Sequence, residues 1–178
     1  MDFKKETLLI ERNRVGGAGI TNGALSSKTW WELSREASAF RKNLKRYNIQ
    51  EPSISFKEIQ SEVRKAVQER KVLLEEHMNA LKEAPYKDLL SFKIGQAKLI
   101  SRHQIEILEG SNREIVYAEN IILATGSRPR YLPEIPIDEK TILTSEGIED
   151  LHDFPESMVI VGAGVIGCEY ATIFSGFG

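Results

Sequence analysis

Cysteine is nearly absent from the 178 residues. Cys168 stands alone, so no disulfide can close within the chain and no pair of thiols within it can cycle. Histidine is scarce too, and His77, His103 and His152 lie far apart without metal-ligand spacing, so no metal centre is expected. No apolar run approaches the roughly 20 residues that a membrane-crossing helix needs. The opening Met-Asp-Phe-Lys-Lys-Glu lacks the apolar stretch of a signal peptide. A formal charge of -2 gives no electrostatic reason to bind nucleic acid, and the cluster Arg41, Lys42, Lys45 and Arg46 reads as the wet face of a helix. These absences leave a cytoplasmic protein as the expectation, with neither nucleic acid nor membrane as partner.

What is present is glycine in two motifs. Met158-Val-Ile-Val161 is an uninterrupted, largely β-branched run, as expected of a strand buried on both faces, and it leads straight into Gly162, Gly164 and Gly167. In such a strand–turn–helix, Gly162 permits the turn, Gly164 lets a pyrophosphate approach the backbone, and Gly167 lets helix and strand pack closely. A helix opening at Val165 and Ile166 aims its unpaired N–H groups and positive dipole end at the phosphates of a dinucleotide. Eleven residues follow Gly167. The strand whose terminal side chain would choose NAD or NADP is therefore not among them, and both nucleotides stay open.

At the other end, Thr7-Leu-Leu-Ile-Glu11 reads as a strand that ends in an acid and lacks a neighbour. An acid in that place suits the ribose hydroxyls of an adenosine, although most such acids are merely solvated. Four glycines then fall within residues 16–23, ahead of Ser26-Ser-Lys28 and a helical pattern expected to open at Thr29. Its apolar positions are Trp30, Trp31, Leu33, Ala37, Phe40 and Leu44. Ser55-Phe-Lys-Glu58 has the form of a capping box, and the stripe from Phe56 through Ile59, Val63, Val67, Leu74 and Met78 predicts one long helix running until Pro85. Residues 92–100, 103–108 and 114–117 alternate in period two and read as a small antiparallel meander. Residues 118–129 supply a buried strand ending in Ala-Thr-Gly-Ser-Arg-Pro. Pro133, Pro136 and Pro155 flank a connector, and the second glycine motif opens the next domain.

Taken together, these segments resemble the pyridine nucleotide-disulfide oxidoreductases of the dihydrolipoamide dehydrogenase-like kind. The family pattern G-G-T-C-x-N-x-G-C-x-P-S-K has Gly16, Gly17, Gly23, Ser27 and Lys28 on its fixed positions, whereas its two redox cysteines fall on Gly19 and Ala24 and its proline on Ser26. The A-T-G-x-x-P motif falls on Ala124, Thr125, Gly126 and Pro129. The fold this implies is α/β: a partial FAD-binding doubly wound domain with a long helix and an antiparallel β-meander over residues 1–150, then the first βα unit of a NAD(P)-binding Rossmann domain over residues 151–178.

The resemblance implies FAD contacts at Glu11, Gly16, Gly17, Ser27, Lys28, Ala124, Thr125, Gly126 and Arg128. It implies NAD or NADP contacts at Gly162, Gly164, Val165, Ile166 and Gly167. It also implies an ion pair between Lys28 and Glu169 beside the reacting flavin, expected within about 4 Å. The implied reaction is hydride transfer between nicotinamide and flavin, followed by electron transfer to a small-molecule acceptor, in a homodimer of full family length. Because Gly19 and Ala24 carry no sulfur, the usual disulfide chemistry is not expected. The chain reads as an internal piece of a longer flavoprotein, inactive alone and not holding FAD tightly. Two other readings stand beside it: a flavin-only transhydrogenase-like enzyme, and a non-catalytic mononucleotide-binding remnant.

Overall fold

A computed structural model describes residues 5–83 and 87–178. The chain forms two compact units that interleave in sequence, the first from residues 1–17 and 71–126, the second from residues 18–70 and 127–178.

The first unit is built from strands. β1 (Thr7–Glu11) pairs in parallel with β2 (Leu90–Ile94), residue for residue from Thr7 against Leu90 to Glu11 against Ile94. The expectation that β1 lacks a neighbour is thereby corrected. Its partner was hidden because residues 92–100 read as a single strand, whereas the structure breaks them at Gly95. The N–H of Gly95 donates to the Glu11 carbonyl at 2.9 Å, and a side chain there would begin 2.8 Å from Ile107 Cγ2. Only glycine passes this point without displacing its neighbours. Beyond it, β3 (Gln96–Ser101), β4 (Gln104–Glu109) and β5 (Asn112–Tyr117) form the expected antiparallel meander. Ala97, Leu99, Ile105, Ile107 and Val116 share one face of it, and Ile107 is buried. The opposite face carries the Arg113–Glu106 ion pair at 3.1 Å.

The second unit is built from helices. α1 (Gly17–Thr21) is a single turn that leads into α2 (Ala24–Arg46). α2 begins five residues before the expected Thr29. Ser55 starts α3 (Phe56–Ala80), of which residues 56–70 belong to this unit, as the capping pattern predicts, accepting a hydrogen bond from the Glu58 N–H at 3.3 Å. The expected end at Pro85 lies outside the described residues. A connector carries the short 3₁₀ turn η1 (Gly147–Asp150) to α4 (Val165–Phe177). Trp30, Phe56, Val63, Ile148, Tyr170, Ile173 and Phe177 form one core, with Trp30 and Ile173 fully buried. Trp30 meets Phe56 at 5.6 Å and Phe177 edge-on at 6.0 Å, so α2, α3 and α4 converge on its indole.

Polar contacts fix the connector. The amide of Gln60 on α3 donates to the carbonyls of Glu149 at 3.0 Å and Leu151 at 2.8 Å. Asp138 Oδ1 accepts three backbone N–H groups, from Lys140, Thr141 and Ile142, at 2.8–2.9 Å, and these bonds hold its carboxyl below the usual carboxylate range. Arg41 departs from its expected place on a wet helix face: its guanidinium donates to the Gly176 carbonyl near the end of α4 and pairs with Glu51 at 3.0 Å. A cation at a helix C-terminus meets the negative end of the dipole and its unpaired carbonyls.

Two expected strands do not form. Residues 121–124 and 158–161 have no hydrogen-bonded ladder among the described residues, and Ile122 and Val159 stand 91% and 90% exposed. Their composition suits a strand covered on both faces, and a parallel strand exists only with a neighbour to receive its N–H and C=O groups.

Candidate functional site

In the first unit, Glu11 ends β1, and its Oε1 accepts the backbone N–H of Asn13 at 2.8 Å, so the carboxylate already folds back on the turn after the strand. Gly16 and Gly17 take positive φ, 96° and 50°, conformations that a side chain would strain. Ala124, Thr125 and Gly126 lie outside any helix or strand, and Gly126 has φ 72°. A shallow open cavity of about 380 Å³ between His103, Arg102 and Glu119 contains none of these residues.

In the second unit, the glycine turn has the form its sequence predicts. Gly162 has φ 115°, and a side chain on Gly167 would collide with the Gly162 carbonyl oxygen, so the helix can start this close to the turn only with glycine there. Gly164 caps α4 without any side-chain hydrogen bond, and the space where its Cβ would stand is open. The first helical bond of α4 is the Cys168 N–H to the Gly164 carbonyl at 3.0 Å, which leaves the earlier N–H groups without helical acceptors. Open space, a glycine at closest approach and unpaired donors fit the pyrophosphate of a dinucleotide.

The N-terminal turns of α2 meet α4 and η1 through polar groups. Ser27 is buried, and its hydroxyl donates to Glu169 Oε2 at 3.1 Å. Lys28 is exposed, and no Lys28–Glu169 ion pair occurs among the described residues. This corrects the expected pairing. Successive residues on a helix point about 100° apart, so once Trp30 is turned into the core it is Ser27, not Lys28, that faces α4. Arg128 lies outside any helix or strand, two residues after Gly126.

Beside Ser27 lies a cluster that the sequence did not disclose. Burial pushes the Glu149 carboxyl upward, while the facing Ser26 hydroxyl and Trp30 indole N–H and the charge of Arg64 pull it back. Glu149 Oε1 and Trp30 Nε1 are both buried without a hydrogen-bond partner of good geometry. Burial, then Glu149, then Glu169 push the Tyr170 phenol well above its ordinary range. Its hydroxyl lies 3.5 Å from the Ser145 carbonyl oxygen. Glu146, Glu149 and Asp150 lie close together in the sequence, which gives no signal that one of them turns inward.

The pyridine nucleotide-disulphide oxidoreductase family model matches residues 2–178. The chain belongs to this family. It is 31% identical to a dihydrolipoyl dehydrogenase of Chlamydia trachomatis, over 97% of this chain and 36% of that one. It is also 31% identical to a soluble pyridine nucleotide transhydrogenase of Hahella chejuensis, over 98% and 37%. The chain thus spans little more than a third of the length of the relatives it matches. Among solved structures, LpdA from Mycobacterium tuberculosis superposes with a TM-score of 0.79 at 21% identity, over 96% of this chain and 37% of that one. The HOCl-induced flavoprotein disulfide reductase RclA from Escherichia coli superposes with 0.73 at 22%, over 99% and 36%. These likenesses establish the fold, a partial α/β FAD- and NAD(P)-binding architecture of the pyridine nucleotide oxidoreductases. No described helix is long and apolar enough to cross a membrane.

Proposed function

We propose that a family-length protein carrying this chain transfers hydride between NADH or NADPH and FAD without the disulfide relay that names its family. The observation that carries the reading is the turn into α4, where a Gly167 that admits no side chain, open space at Gly164 and uncapped N–H groups come together around Val165 and Ile166. These residues would receive the nucleotide pyrophosphate, and residues 151–178 would open the nicotinamide-binding domain. By the family resemblance, Glu11, Gly16, Gly17, Ala124, Thr125 and Gly126 are the residues of the first unit that would contact FAD, and Ser27, Lys28 and Arg128 those of the second. Bound FAD would supply the ring that exchanges hydride with nicotinamide.

The chain's own contribution is placement and charge. The Lys28 ammonium, unpaired among the described residues, is available to an anionic ring, and Glu169 is held ready by a neutral donor. Gly19 and Ala24 stand where sulfur would be needed, so electrons would leave to a small-molecule acceptor directly. The same absence favours a second reading, transhydrogenase-like transfer from one nicotinamide nucleotide to another through the flavin. The cytoplasm and a homodimer of family length are the setting this reading expects.

The test is anaerobic mixing of an FAD-loaded, family-length protein that carries this chain with NADH and with NADPH while the visible flavin band is monitored. Bleaching by one nucleotide, slowed at least about 10-fold by Lys28→Ala or Glu169→Gln (about 1.4 kcal/mol in the barrier), with no lipoamide reduction, is the expected result. Rapid lipoamide turnover, bleaching indifferent to both substitutions, or failure to bind either cofactor would overturn it.

A further inference from the structure

Ser27 and Lys28 adjoin on α2 and meet different surroundings. Ser27 is 5% exposed and donates to Glu169 Oε2, whereas Lys28 stands in solvent. We propose that Ser27 is the positioning residue for Glu169, its hydroxyl fixing Oε2 in one side-chain conformation and leaving Oε1 for a positive group, such as the oxidised nicotinamide ring. The proposal rests on the proposed hydride-transfer function, in which Glu169 works beside the nicotinamide.

The donor is rigid. Ser27 N donates to the Gly23 carbonyl at 2.9 Å, and Trp30, less than one turn further along α2, is fully buried. The helix carrying the acceptor is fixed against α2 as well, because a side chain on Gly176 would collide with the Ser34 hydroxyl, so the two backbones approach as closely as glycine allows. A glutamate has three side-chain torsions to sample. One charge-assisted bond from a buried hydroxyl restrains them. The donor is also neutral: a lysine in its place would cancel the Glu169 charge and consume its own, whereas Ser27 leaves both Glu169 and Lys28 charged. Among the described residues Glu169 Oε1 accepts no hydrogen bond, and the neighbouring Tyr170 hydroxyl is turned towards the Ser145 carbonyl.

The test is NMR of the protein labelled with ¹³C in glutamate, where three-bond couplings about the Glu169 side chain report one rotamer or an average. The unmodified protein is expected to show a single rotamer and Ser27→Ala an average, while Lys28→Ala and Ser34→Ala leave the couplings unchanged. Ser34→Ala alters the same helix contact without touching Glu169, so averaging there to the same degree would assign the hold to packing and overturn the proposal. Averaged couplings in the unmodified protein, or fixed ones in Ser27→Ala, would overturn it as well. If Ser27→Ala frees the side chain while Glu169→Gln leaves flavin bleaching unchanged, the function assigned to Glu169 fails and the positioning by Ser27 stands.

Discussion

The two glycine-rich turns of this chain share one packing device and end in opposite chemistry. In each, the last glycine closes against the carbonyl oxygen of a residue five positions earlier, Gly23 on Ala18 and Gly167 on Gly162, and each launches a helix. The helices then differ. The first turns of α2 carry Ser26 and Ser27, which face the carboxylates of Glu149 and Glu169 supplied by η1 and α4. The N-terminus of α4 has no side-chain cap among the described residues, and Val165, its first residue, is 85% exposed. A helix N-terminus attracts anions wherever it lies. One of these is already surrounded by the protein's own acids, and the other remains open to a ligand's phosphates.

The largest expected effect comes from breaking the first side at its anchor. Trp30→Ala removes the fully buried ring that α2, α3 and α4 share, and should cost about 3–5 kcal/mol in urea-induced unfolding, as large aromatic-to-alanine changes in a core do. Trp30→Phe keeps most of the packing and should lose far less. Equal losses for the two would mean that the indole N–H, rather than the ring's bulk, holds the helices.

Next in size are the closing glycines. Gly23→Ala and Gly167→Ala each push a methyl group into a backbone carbonyl and should destabilise by about 1–3 kcal/mol, the usual range for overpacking. The comparison predicts a difference beyond stability. Gly167→Ala should also weaken NADH binding, measured by fluorescence titration, while Gly23→Ala should leave it unchanged once stability is allowed for. Similar weakening by both would erase the distinction between the two helix ends.

The carboxylate that faces Ser26 offers a test with a sign. Burial raises the Glu149 carboxyl above its ordinary 4.5, so the favourable contribution of its neutral form is complete below that value and is lost as pH rises through the higher folded-state value. Asp138 runs the other way. Its backbone bonds lower its carboxyl below 3.8, so its contribution is present above that value and fades as pH falls through the lower one. Melting temperatures taken upward from pH 4.5 should therefore fall in the unmodified protein relative to Glu149→Gln. Parallel curves for the two proteins across that interval would show that Glu149 ionises as freely folded as unfolded.

Much of this was legible in the sequence, and the rest failed for identifiable reasons. Gly162, Gly164 and Gly167 could be read singly because each answers to a backbone constraint within five residues, and the Ser55 cap and the β4–β5 hairpin are local in the same way. The break at Gly95 was not local. Alternation continues straight through it, and only the approach of Ile107 from another strand makes glycine necessary. The early start of α2 went unseen because Ala24-Leu-Ser-Ser carries no side-chain cap and relies on Gly23 closing against Ala18. Glu149 and Arg41 look like surface charges in the sequence and turn inward only because α2, α3 and α4 converge around them.

The smallest expected effect separates adjacent residues. Lys28 projects into solvent without an ion pair among the described residues, so Lys28→Ala should change unfolding free energy by no more than about 0.5 kcal/mol. Ser27→Ala deletes a buried hydroxyl bonded to a carboxylate and should cost about 1 kcal/mol or somewhat more, since Glu169 is only partly shielded and water can replace part of the bond. The order reverses for chemistry if the proposed function holds. Lys28→Ala removes the charge offered to the flavin, whereas Ser27→Ala leaves that charge in place and disturbs only the orientation of Glu169. Urea titrations of the two variants, set beside their flavin-bleaching rates, should therefore cross. A Lys28→Ala variant that lost stability like Ser27→Ala would instead place the lysine in the α2–α4 contact, as the expected ion pair with Glu169 would.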